Sequence, residues 1–226
     1  MKHLNKRLRT FLLIVLALAA SFTAKEGLSP APSATSGVTV KRVVDGDTLI
    51  IDDGKDTRVR LIGVDTPETV KPRGRVEPWG KEASDFSKKA LTGKSVYLEY
   101  DEEKEDHYGR TLAYIWTEDP RKSDKPKEEI LFNYQLVASG YARERAYEPN
   151  TKYQAILHEG EIVAMDHVRG IWAVEGKEGP AKGNKKSKIY HLPSDKSYDK
   201  VSPQNVVIFE NAMEAERAGY QRTFSR

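Results

Sequence analysis

From Gly37 onward the chain alternates short apolar segments with Asp-Gly pairs, and that rhythm confines its first third to a meander of short strands. Residues 38–44, 48–52 and 57–64 are rich in Val, Ile, Leu and Thr, which suit a pleated, half-buried surface. Asp45-Gly46 and Asp53-Gly54 lie between them, and the second is a good two-residue hairpin turn. Residues 79–91 change period: Ala83, Phe86, Ala90 and Leu91 share a helical face, and Gly93 stops it. Residues 95–100 and 111–116 read as two more strands around a charged loop. A second helix is expected over 129–139, with Gly140 just past its end. A third runs over about 151–168, capped by Asn150 and ended by Gly170. Five strands with interspersed helices describe an α+β domain: a closed five-stranded barrel under three helices, the oligonucleotide/oligosaccharide-binding (OB) architecture.

The 226 residues hold one moderate domain, expected over 37–175, plus an appendage. A core of that size needs no disulfide, and the chain has no Cys, which also excludes thiolate zinc sites. The formal charge of +3 hints at a nucleic-acid binder, but four of its cations are Lys2, Lys6, Arg7 and Arg9. Residues 37–175 alone sum to −5 and residues 176–226 to +4. Bulk attraction to phosphate is therefore a poor argument, and phosphate must be held by local groups. The basic start is followed by an apolar run over 11–20 and by small residues, the layout of a secretory signal over 1–24. Export is expected, with cleavage after Ala19, Ala20 or Ala24; the alternative is an uncleaved anchor. Residues 25–36, rich in Pro and Ser, read as linker.

Chemistry concentrates between residues 44 and 69. Asp45-Gly46-Asp47-Thr48 is followed by Arg60-Leu61-Ile62-Gly63-Val64-Asp65-Thr66-Pro67-Glu68-Thr69. Carboxylates suit a hard divalent cation, and a guanidinium suits phosphate. A strand that ends in a run of acidic and turn residues gathers charge that something must compensate. A cation between Asp47 and Asp65 would do so, with the Thr66 carbonyl as a further oxygen. Gly63 lets another chain segment or a ligand come close to the strand. Arg60 and Arg110 are the candidate phosphate clamps.

The motifs Asp45-Gly-Asp-Thr, Arg60-Leu-x-Gly-x-Asp-Thr-Pro-Glu-Thr69, Tyr108-Gly-Arg-x-Leu-Ala-Tyr114 and Gly140-Tyr-Ala-Arg-x-x-x-Tyr147-x-Pro-Asn150 closely resemble the staphylococcal-nuclease family over roughly residues 38–173. The resemblance implies calcium-dependent hydrolysis of DNA and RNA, with products ending in a 3′-phosphate. It also implies roles. Asp47, Asp65 and the Thr66 carbonyl would hold calcium, and Glu68 would orient or deprotonate the attacking water. Arg60 and Arg110 would clamp the scissile phosphate, Tyr108 would bond a nucleotide phosphate, and Tyr147 would pack at the base pocket. Asp45 is left as a turn residue. The chain departs from the family pattern twice. His107 stands where a Lys is common, and Arg145 stands in place of a second pocket tyrosine, where its guanidinium plane could stack on a base.

Elsewhere the sequence offers solvated or structural features. Lys71, Arg73 and Arg75 form a basic loop directly after the acidic motif, read either as a flexible phosphate grip or as a solvated loop. Residues 99–106 read as a solvated acidic edge, and Trp79, Trp116 and Trp172 as core anchors. His158 and His167 are nine apart, poor spacing for a shared metal. Residues 176–188 read as a flexible basic connector to a small module over 189–226, in which residues 206–209 form a strand and Asn211 with Glu214 opens a helix. That module faintly resembles a zinc-binding one, but Asp195 stands in the place of a Cys. A structural remnant or a basic docking surface is expected instead. The chain is read as a secreted, monomeric nuclease; an inactive nucleic-acid-binding module and a surface adhesion or structural protein are the alternatives.

Overall fold

The computed structural model describes residues 34–69 and 77–222, all within one compact unit that spans Ser33–Arg226. The signal-like segment, most of the expected linker and the basic loop at Lys71 lie outside the described residues. Five strands close into a barrel in the order β1 (Val38–Val43), β2 (Thr48–Ile51), β3 (Arg58–Leu61), β6 (Thr111–Trp116) and β5 (Ser95–Glu99). Neighbours are antiparallel except β3 and β6, which run parallel. Val40, Leu49, Val59, Val96, Leu98, Ala113 and Ile115 fill the interior. Each large aliphatic side chain buried in this way contributes roughly 1.5–3 kcal/mol.

The third expected strand does not run unbroken through residue 64. Gly63 adopts φ 75°, and the chain turns out of the barrel into the two-residue strand β4 (Val64–Asp65). Asn133 fixes the exit: its Nδ2 donates to the Ile62 carbonyl at 2.8 Å, and its Oδ1 accepts from Ile115 N–H at 2.9 Å. A Cβ at Gly63 would come within 2.6 Å of Leu157 Cδ1, so the close approach expected there is made by a helix of the same chain. β4 pairs with β7 (Arg143–Glu144) through Val64↔Glu144 and Asp65↔Arg143.

The helical cover departs from the expected three helices. The first is as expected, α1 (Gly80–Leu91), with Ala83 and Leu91 buried and Phe86 packed on Tyr141 and Phe132. The second breaks at Leu131 into α2 (Lys127–Ile130) and α3 (Phe132–Ala138). Leu131 takes an extended conformation and bridges to Trp116, so the barrel edge claims its backbone. The third, α4 (Gln154–Asp166), starts later than expected, and Asn150 does not cap it. The Asn150 amide instead clasps the Glu103 backbone, accepting at 2.8 Å and donating at 2.9 Å. The acidic edge is also only partly solvated: Glu99 is fully buried and accepts from Trp116 Nε1 at 2.8 Å and Tyr153 Oη at 3.0 Å.

The expected connector at 176–188 is structured. After α5 (Ile171–Glu175) it supplies β8 (Ala181–Asn184), which pairs on one side with β10 (Val206–Phe209) and on the other with β9 (Ile189–His191); β11 (Gln221–Arg222) completes a four-stranded sheet. Asn211 caps α6 (Ala212–Arg217) by accepting from Glu214 N–H at 3.0 Å. This sheet shares one core with the nuclease-like half: Ala164, Met165, Ile171 and Trp172 pack with Ala181, Tyr190, Leu192, Phe209 and Tyr220. A sheet of this size gains stability by borrowing that apolar face.

Candidate active site

The β1–β2 turn and the β3–β4 exit bring the acidic residues together. In the turn, Val44 N–H donates to the Thr48 carbonyl at 2.8 Å and Asp47 N–H to Asp45 Oδ1 at 3.3 Å. Ser87 of α1 anchors it by donating to the Gly46 carbonyl at 2.6 Å. Gly46 is required for the approach to Thr66: a Cβ there would lie 2.6 Å from Thr66 Cγ2 and 2.7 Å from its Oγ1. Thr66 cannot move aside, because its N–H and hydroxyl both donate to Asp47 Oδ2 at 2.9 Å. Gly46→Ala is therefore expected to cost about 1–3 kcal/mol, the usual range for overpacking a tight contact, and to lower hydrolysis by displacing Thr66 from Asp47. Urea unfolding and initial rates check this; wild-type values for both would show that the turn yields freely.

Arg60, paired with Thr48 across the β2–β3 ladder, reaches Asp47 at 2.7 Å and Asp65 at 3.2 Å. Burial works against its charge, but Asp47, Asp65 and Asp45 outweigh that and hold its pKa above the ordinary value. Desolvation pushes Asp65 above the usual carboxylate range, with Asp47 adding and Arg60 opposing. Asp45 is pushed up to about 6, by burial first and by the Asp47 charge next. Asp45 is thus both the turn residue expected and a third carboxylate of the cluster.

Arg110 immediately precedes β6, whose parallel register sets Thr111 beside Val59 and Leu112 beside Arg60. The Arg110 guanidinium is held at 2.7 Å by Asp106, a partner that the sequence reading did not single out. The same turn presents Tyr108, exposed, beneath Arg110 at 5.4 Å and against the His107 ring at 3.8 Å. Tyr147 is likewise exposed. Glu68 is exposed, and its backbone is tied to Glu77 in both directions at 3.1 Å.

Arg145 does not stand in a base pocket. It is 5 % exposed, donates to the Glu144 carbonyl at 2.6 Å and pairs with Glu216 of α6 at 3.0 Å. Arg143 is buried beside it, 4.6 Å over the Trp172 ring and paired with Glu216 at 2.9 Å and with Glu175. Arg222 completes the set, with Glu175 and Asp195 each at 2.7 Å. Three arginines and three carboxylates therefore balance one another between β7 and the C-terminal sheet. Asp195, standing where a thiolate was looked for, serves this network.

The family profile described as staphylococcal nuclease homologue matches residues 58–174, and one described as ArfC matches 173–222. The thermonuclease of Staphylococcus intermedius is 52 % identical over 134 residues, covering 59 % of this chain and 74 % of that protein. That of Staphylococcus hyicus is 42 % identical over 177 residues, covering 74 % of this chain and 99 % of its own. The endonuclease YncB of Bacillus subtilis is 38 % identical over 141 residues, 62 % of this chain and 63 % of that protein. With the acidic turn, its arginines and the closed barrel all in place, the chain belongs to the staphylococcal nuclease family and carries an ArfC-like module behind the nuclease barrel.

Proposed function

We propose that this phosphodiester-hydrolysing nuclease depends on calcium, acts on DNA and RNA, leaves 3′-phosphate ends, and is exported through its first 24 residues. One observation carries the calcium requirement. Asp45, Asp47 and Asp65 bring three negative charges against the single positive charge of Arg60, an excess of two that a divalent cation balances. The donors are all hard oxygens, which calcium takes in preference to nitrogen or sulfur. Asp47, Asp65 and the Thr66 carbonyl would hold it. When bound, the ion would neutralise a non-bridging phosphate oxygen.

The chain's own groups do the rest. Glu68 takes a proton from the attacking water from hydrogen-bond range. Water oxygen bonds to phosphorus, the bond from phosphorus to the 5′ oxygen breaks, the leaving 5′ oxygen takes a proton from solvent water to become a hydroxyl, and the phosphate stays on the 3′ side. Arg60 and Arg110 face the charge that builds on the phosphoryl oxygens, where a fixed guanidinium stabilises the transition state more than the ground state. Tyr108 and Tyr147 offer exposed rings beside them for substrate.

Incubation with DNA or RNA in calcium is expected to yield fragments whose 3′-phosphates are removed by a phosphatase, and chelator is expected to abolish cleavage. DNA or RNA retarded but intact in calcium would favour the inactive binding module instead. N-terminal sequencing of protein from culture medium tests export.

A further inference from the structure

On the far side of β7 from Arg143, Glu144 meets His158 and Glu161 of α4, one ligand atom from each lying within 4.8 Å of the others. His158 and Glu161 are i and i+3, so they share a helical face. The His158-to-His167 spacing had hidden this pairing. Glu144 and Glu161 are buried, 7 % and 2 % exposed, while His158 is exposed. The buried Glu144 Oε1 has no hydrogen-bond partner among the described residues. A buried carboxylate oxygen left without a donor is costly, and a cation would satisfy it.

We propose that Glu144, His158 and Glu161 form a second metal centre, for a divalent transition-metal ion of the zinc class, sharing no residue with the Asp45–Asp47–Asp65 cluster. Imidazole with two carboxylates suits zinc, cobalt or iron, whereas calcium takes oxygen only. Two carboxylates neutralise the ion, and the exposed His158 gives it an entry path. Ligand bonds of about 2.0–2.2 Å need a tighter cluster than 4.8 Å, and His158, the exposed member, is the side chain with room to adjust. The Glu161 carboxylate is already oriented, accepting from Glu144 N–H at 3.0 Å. The ion would join α4 to β7, the partner strand of Asp65, and so act as a structural clamp behind the active site.

The full-length protein in excess calcium is titrated with cobalt(II) and, separately, melted with and without zinc. The wild type is expected to develop a visible ligand-field band at one equivalent of cobalt and to melt higher with zinc. His158→Ala is expected to keep its metal-free melting temperature and to weaken cobalt binding by at least roughly 10–100-fold, the range commanded even by groups behind a metal ligand. Glu144→Gln is expected to do the same. Asp47→Asn is expected to keep the band, which separates this centre from the catalytic one whatever the nuclease activity proves to be. The proposal is overturned by a wild type with neither band nor zinc shift, or by His158→Ala and Glu144→Gln proteins that bind as the wild type does.

Discussion

Glu68→Gln is expected to lower kcat by about 10²–10⁴-fold, the contribution of a positioned general base, with no loss of stability. Glu68 is exposed, and the amide is isosteric, so the change removes a proton acceptor without opening a cavity. KM should move little, because the residue acts on water rather than on the nucleotide. Arg110→Ala should cost at least as much, since an arginine that meets developing phosphoryl charge is worth about 10³–10⁵ in related chemistry. Single-turnover hydrolysis in saturating calcium measures both. Wild-type rates from both variants would remove Glu68 and Arg110 from the mechanism.

Arg143→Ala is expected to produce the largest loss of stability, about 3–5 kcal/mol, by leaving the buried set one cation short, with only Arg145 for Glu216 and only Arg222 for Glu175. The attraction inside such a network is offset by the desolvation of its members, so its net value is modest; removing one member exposes the full penalty. Lys81→Ala is the contrast. Its bond to Asp85 lies on the surface, and its loss should fall within about 1 kcal/mol. Urea denaturation of the two variants decides the point: equal midpoints would mean that the C-terminal sheet is held by its apolar core alone.

Local pattern reveals the barrel and most of the catalytic constellation. Strand period and Asp-Gly turns set β1 to β3, and helical period set α1, because each depends on residues within one or two turns of one another. Asp47, Asp65, Thr66 and Arg60 are grouped because they sit on one contiguous excursion of the chain. The errors share one cause. Asn150 has a capping residue's chemistry, but Glu103, remote in sequence, claims its amide. Residues 176–188 have a linker's composition, but two partner strands claim Ala181–Asn184. Arg145 was assigned by its position in a motif, whereas Glu216, 71 residues away, sets its orientation.

What the sequence alone determined, then, was which short segments form and which acids and arginine arrive together at one turn. The tertiary structure decided the rest: that Asp45 joins the cluster, that Asp106 steadies Arg110, that the C-terminal sheet shares a core with the nuclease half, and that Glu144 meets His158 and Glu161. The reason is physical. Backbone propensity and side-chain period act over a few residues, whereas a buried charge takes whichever partner the packed chain brings within reach.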